Sequence, residues 1–118
     1  MAETIKIKYS GKTIKLKIRR TGFFSKGLGL MFRTRGSDNL LFEFKKNSRI
    51  SIHSLFVFFS FLAIWLDSRN NVLEWRVIAP FCLRATPRKN FRKIIEIPFN
   101  SENKRAIEFF LKNSRANI

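Results

Sequence analysis

The chain has 118 residues, 45% of them apolar, and carries 24 Lys and Arg against 8 Asp and Glu, a formal net charge of +16. That length suits one domain, expected to span 1–118, and the apolar content excludes a disordered polyelectrolyte. One cysteine, Cys82, excludes an internal disulfide and any cysteine-pair metal site.

The opening MAETIKIKYS has no apolar run of the kind a secretory signal needs, so a cytoplasmic location is expected. It leads into TIKIKYSGKTIKLKIR, where Ile5, Ile7 and Tyr9 alternate with Lys6 and Lys8, and Ile14, Leu16 and Ile18 with Lys15, Lys17 and Arg19. Period two marks half-buried strands, and Ser10-Gly11 supplies the turn of a β-hairpin. GFFSKGLGLMFR shows no alternation. Ser25 can cap a helix there, but Gly27 and Gly29 each weaken it by roughly 1 kcal/mol relative to Ala. A short helix near 22–31 is expected. NLLFEF then reads as a strand with Leu40, Phe42 and Phe44 on one face and Glu43 outward.

Between Arg49 and Asp67 lie seventeen residues without a formal charge, ISIHSLFVFFSFLAIWL. A spanning helix needs about 20 apolar residues, and this run includes Ser51, His53, Ser54 and Ser60. Phe, Val, Ile and Trp favour strands, and a continuous apolar run is the pattern of a strand buried on both faces. Seventeen residues exceed one typical strand, so a break is expected near Ser60, and no transmembrane span.

Next, VLEWRVI predicts a strand with Leu73, Trp75 and Val77 inward and Glu74 and Arg76 outward, joined to its predecessor by the polar turn SRNN, which Asp67 would organise. Trp65 and Trp75 are expected on inward faces of adjacent strands. KIIEIP is a late strand ended by Pro98. In NSENKRAIEFFLKN the period changes: Ile107, Phe110 and Leu111 fall at i, i+3, i+4, and Asn100 or Ser101 can cap, predicting an amphipathic helix near 101–113. The fold expected is mostly β (α+β), a compact small β-barrel or sandwich of antiparallel hairpins with these two helices.

Five segments fall in one order: GLMFR (29–33), LLFEF (40–44), IHSLFVFFSFLAIWLD (52–67), Pro80-Phe81 and IIEIP (94–98). That order resembles the domain-of-unknown-function family 192, over about residues 4–99, with 100–118 as a helical extension unlike the family's usual ending. The resemblance implies a compact, mostly β domain with a short helix before the Gly-Leu-Met box. It implies no catalytic residues, because the family has no established activity. Where the family usually has Pro and Asp, this chain has Ser60 and Leu62, and Leu55, Phe56 and Phe58 stand where many members place Arg or Lys. A polar site shared by other members is therefore expected to be lost.

Candidates for chemistry are few. His53, the only histidine, has few carboxylates near it in sequence and reads as a hydrogen-bonded strand residue. Cys82 precedes Arg84, which could lower its pKa, but a lone small thiol is ordinarily packing. SKGLGL lacks the spacing of a phosphate loop, and no two carboxylates share a motif. No catalytic residue, metal site or cofactor is expected.

The cations are different. Lys6, Lys8, Lys15, Lys17 and Arg19 share one ribbon face, more than protection of a strand edge requires. RATPRKNFRK adds Arg84, Arg88, Lys89, Arg92 and Lys93 on a Pro-containing loop, with Phe91 interleaved for stacking. Cations tracking a backbone beside an aromatic are the pattern of non-specific nucleic-acid contact. RNA or DNA is thus the expected partner. The alternatives are an anionic membrane surface, with Phe109 and Phe110 of the C-terminal helix inserted, or a pocket-binding domain with its site near His53 and Asp67.

Overall fold

Residues 3–21, 36, 38–51, 57–82 and 84–115 are described by the computed structural model of the chain. The helix expected near 22–31 and His53 lie outside them.

β1 (Glu3–Tyr9) and β2 (Lys12–Arg20) form the expected hairpin, in register from Glu3↔Ile18 to Tyr9↔Lys12. Its two-residue turn has positive φ at both positions, 54° at Ser10 and 76° at Gly11, the backbone that matches strand twist in a tight hairpin. β3 (Leu40–Ser48), β4 (Phe61–Leu66), β5 (Val72–Ile78) and β6 (Phe91–Pro98) complete one six-stranded sheet in the order β1-β2-β3-β6-β4-β5. A 3-10 turn (Ser101–Asn103) leads into α1 (Lys104–Arg115), and the Asn100 side chain caps it by accepting from the Asn103 N–H at 3.0 Å.

Only β1–β2 and β4–β5 are hairpins. β3–β6 and β4–β6 are antiparallel but join strands distant in sequence, and β2 meets β3 in parallel through Arg19↔Leu40 and Arg20↔Leu41 alone. The sheet therefore curls into a half-barrel rather than stacking as successive hairpins. Its two ends touch where the Lys8 N–H donates to the Asn70 carbonyl at 3.0 Å and Lys8 bridges to Asn71.

β4 lies between β6 and β5, and all six of its residues are buried, as its unbroken apolar run requires. Its side chains divide between two cores. Leu62, Ile64 and Leu66 join Ile5, Ile7, Leu16, Ile18, Ile95, Ile97 and Phe110 inside the curl, where α1 covers the sheet. Phe61, Ala63 and Trp65 join Leu40, Phe42, Val57, Phe59, Ile78, Ala85, Phe91 and Ile94 on the outer face. Among the described residues, irregular chain on either side of β4 and β5 covers the outer core through Val57, Phe59 and Ala85.

Three sequence expectations are corrected here. A register shift lies between Trp65 and Leu66, where Glu74 and Val72 are the successive partners. The bulge leaves Leu73 as an extra residue and reverses the alternation of β5. Leu73 consequently packs outside and Trp75 inside, while Val77 is exposed and Trp65 and Trp75 lie on opposite faces. α1 is turned by about one residue from the predicted stripe: Ala106, Phe110 and Asn113 are buried and Leu111 is exposed. Phe110 packs on Tyr9 and Trp75 with ring centroids 5.3 and 5.7 Å away, and Phe109 leans on Tyr9 and Phe110. With Phe110 completely buried, α1 is the lid of the inner core and cannot insert Phe110 into a bilayer without opening the fold. No helix among the described residues is long and apolar enough to cross a membrane.

Candidate nucleic-acid interface

On the outer face of the hairpin, Lys6, Lys8, Lys15, Lys17 and Arg19 are all exposed. Lys6 stands directly opposite Lys15. The Lys17 carbonyl accepts from the Asn39 side chain at 2.9 Å on the far edge of β2, and the Arg19 N–H donates to the Asn39 carbonyl on that same edge. Odd-numbered β2 residues thus direct their backbone groups away from β1. Lys6↔Lys15 is therefore a non-hydrogen-bonded pair, the closer kind, with Cα atoms about 4.5 Å apart. Like charges so placed are destabilising, by up to roughly 1 kcal/mol. Among the described residues no ion pair relieves Lys6, Lys8, Lys15 or Lys17; Arg19 reaches Asp38 at 3.6 Å, and Arg20 joins Glu3 and Glu43.

The second basic run divides. Arg84, Arg88 and Lys89 are exposed on the expected loop, but Phe91 is fully buried, so it offers no stacking surface. Arg92 and Lys93 belong to β6, and their head groups are occupied: Arg92 Nε donates to the Phe44 carbonyl at 2.9 Å and Lys93 Nζ to Asn70 Oδ1 at 2.6 Å. Burial pushes the Lys93 ammonium below its ordinary pKa, and the charges of Arg20 and Arg92 push the same way against Asp67. Strand formation draws these two cations out of the loop and into the framework.

Glu74 and Arg76, expected to face solvent, hold the loop down. Glu74 Oε1 accepts the Arg88 N–H at 2.8 Å, and its Oε2 accepts from Arg76 at 2.5 Å. Arg76 in turn donates to the Thr86 carbonyl at 2.7 Å and lies over the Trp65 ring, 5.6 Å from its centroid. Arg49 Nε donates to the Pro87 carbonyl at 3.1 Å, and the Ser51 and Thr86 hydroxyls meet at 2.6 Å. The tip carrying Arg88 and Lys89 is therefore latched through its backbone while its cationic side chains stay outside.

Asp67 does organise its turn. Oδ1 accepts the N–H groups of Arg69 (2.8 Å) and Asn71 (2.9 Å), and Oδ2 accepts the Asn71 amide at 3.0 Å. Burial alone would raise its pKa, but these bonds and the nearby Lys8 charge outweigh it and hold the carboxyl below its ordinary value. Cys82 is half-buried against the outer core, its thiol donating to the Arg84 carbonyl at 3.4 Å. No group of three His, Cys, Asp or Glu side chains among the described residues is placed to hold a metal ion.

Sequence reasoning missed two features. Glu96 is a buried carboxylate at the centre of the sheet, opposite Leu40 and Ala63. Phe58 and Phe81 are 60% and 53% exposed and meet edge to face, centroids 5.3 Å apart. Phe81 holds φ at 60°, a left-handed backbone that costs a bulky L-residue about 1 kcal/mol or more. The only hint in the sequence was Pro80 before it. Separately, a groove of about 1070 Å³ between β2 and α1 is lined by side chains of both signs, among them Lys17, Arg105, Asp38, Glu102 and Glu108.

The profile of the family DUF192, described as "Uncharacterized ACR, COG1430", matches residues 4–109, reaching into α1 beyond the expected limit near 99. No curated protein matches the chain. Two solved structures share its fold. One, described as "a putative transcription regulator" from Sinorhizobium meliloti 1021, has a TM-score of 0.72 at 17% identity, covering 89% of this chain and 84% of its own. The other is a protein of unknown function from Novosphingobium aromaticivorans DSM 12444, with a TM-score of 0.67 at 13% identity, covering 88% of this chain and 77% of its own.

Proposed function

The chain belongs to this uncharacterised family, DUF192, and from its surface charge we propose that it is a small basic binding module contacting the phosphates of nucleic acid without reading base sequence. The observation that carries this reading is the Lys6↔Lys15 pair with Lys8 and Lys17 beside it: four exposed cations on one ribbon face, unpaired among the described residues and electrostatically unfavourable to the fold. A solvated face gains nothing from such an arrangement, whereas a phosphate backbone neutralises it. Arg84, Arg88 and Lys89, exposed and without an ion pair among the described residues, add a second group of cations on a latched loop. Arg92 and Lys93 are left out of the interface because their head groups are bonded within the fold. The name given to the Sinorhizobium meliloti structure agrees in class with this reading, although at 17% identity the likeness argues for the fold alone.

The experiment is a fluorescence-anisotropy titration with labelled single-stranded RNA and duplex DNA at several salt concentrations, on the wild type and on Lys15→Glu. The wild type should bind with a steep negative log–log salt slope, about 0.7 to 0.9 per phosphate neutralised. Lys15→Glu should bind more weakly with a shallower slope, yet melt at the same or a higher temperature, because it turns a like-charge pair into an opposite one. Absence of binding to either nucleic acid at low salt, where charge contacts are strongest, would overturn the proposal.

A further inference from the structure

We propose that Phe58 and Phe81 form a stacking notch for unpaired bases, so that the nucleic acid this module takes is single-stranded. The inference rests on the phosphate-contact reading and names its substrate class.

Both rings stand outside the core. Val57 and Phe59, on either side of Phe58, are both buried in the outer core, while Phe58 between them points to solvent. Phe81 is kept out by its left-handed backbone, a conformation that bulky residues ordinarily avoid and that clusters at functional sites. The two ring planes stand at 82°. They support each other edge to face, and over half of each residue remains open. A perpendicular pair on anchored segments makes a notch, which suits a flat base better than it suits an acyl chain.

The charge around the notch selects the partner. Arg84, Arg88 and Lys89 stand exposed on the segment that follows Phe81, and the carboxylate bonded to that segment, Glu74, is engaged by the Arg88 N–H and by Arg76. Arg84 follows Phe81 by three residues, and its carbonyl accepts from the Cys82 thiol at 3.4 Å. Exposed aromatic faces beside cations are what an unpaired strand uses: bases stack while phosphates meet Lys and Arg. A duplex has its bases stacked internally and would leave the rings idle.

The test compares a labelled oligouridine with a duplex of the same length by anisotropy, on the wild type, Phe58→Ala and Phe81→Gly. Phe81→Gly removes a ring and also relieves the left-handed backbone, so it should melt no lower than wild type and serves if Phe58→Ala folds poorly. Single-strand affinity should fall roughly tenfold, the size of one base–aromatic stack, with the salt slope and duplex affinity unchanged. Wild-type binding that Phe81→Gly leaves unaltered would overturn the stacking role while the phosphate reading stands. Binding of neither nucleic acid would overturn both. Sedimentation with phosphatidylcholine–phosphatidylserine vesicles, lost in Phe81→Gly while oligouridine affinity is kept, would make the pair a membrane contact and overturn it as well.

Discussion

The hairpin and the 84–93 run carry five expected contact cations each, but they spend them differently. On the hairpin a regular ladder points every outer residue the same way, and Lys6, Lys8, Lys15 and Lys17 are unpaired among the described residues. In the 84–93 run the chain passes from loop to strand between Asn90 and Phe91. Past that boundary Arg92 and Lys93 bond a carbonyl and an amide, and only Arg84, Arg88 and Lys89 stay exposed. A run of charge is thus a good guide to a surface only where no neighbouring element brings an acceptor within reach. On β6 the Phe44 carbonyl and the Asn70 amide oxygen do so, and they take Arg92 and Lys93 out of the run.

Four substitutions test that contrast. Phe110→Ala should have the largest effect, since the ring is fully buried between Tyr9 and Trp75. Loss of about 3–5 kcal/mol is expected by chemical denaturation, with the amide protons of β1 and β2 exchanging before those of the 84–90 loop. Glu74→Ala should do the converse. It leaves the Arg88 N–H and the Arg76 guanidinium without their shared carboxylate, at a cost of about 1–3 kcal/mol, and the Arg88 amide should exchange faster while the hairpin ladder stays protected. If both variants opened the two regions together, the regions would not be independent.

Asp67 lies at the seam where Lys8 meets the β4–β5 turn. Its carboxyl is held below its ordinary pKa, so the folded state gains from the ionised form. That stability is fully present above the ordinary value of about 3.9 and is lost as pH falls through the lowered one. Melting temperature should therefore drop on acidification below about pH 4, more steeply in the wild type than in Asp67→Asn. Equal slopes would remove Asp67 from the acid response. The smallest effect is expected at Ser10, whose left-handed φ suits Asn better. Ser10→Asn should raise stability by a few tenths of a kcal/mol and leave nucleic-acid affinity where it was.

Much of this architecture can be read from residue order because it depends on neighbours along the chain. Strict alternation dictates the hairpin and the outward face of its lysines, an unbroken apolar run dictates a strand buried on both sides, and Asp67 and Asn100 find their turn and helix N–H partners within four residues. What tertiary structure alone decided depends on which distant strands meet. The parallel contact of β2 with β3, the bulge that sends Leu73 and Trp75 to opposite cores and the one-residue turn of α1 follow from closure of the sheet. So does the division of the cations. Arg92 and Lys93 look as free as Arg88 and Lys89 until Phe44 and Asn70, 48 and 23 residues away, supply their acceptors. Phe58 and Phe81 are the reverse case: apolar rings that composition assigns to the core, left outside, one between two buried neighbours and the other on a left-handed backbone.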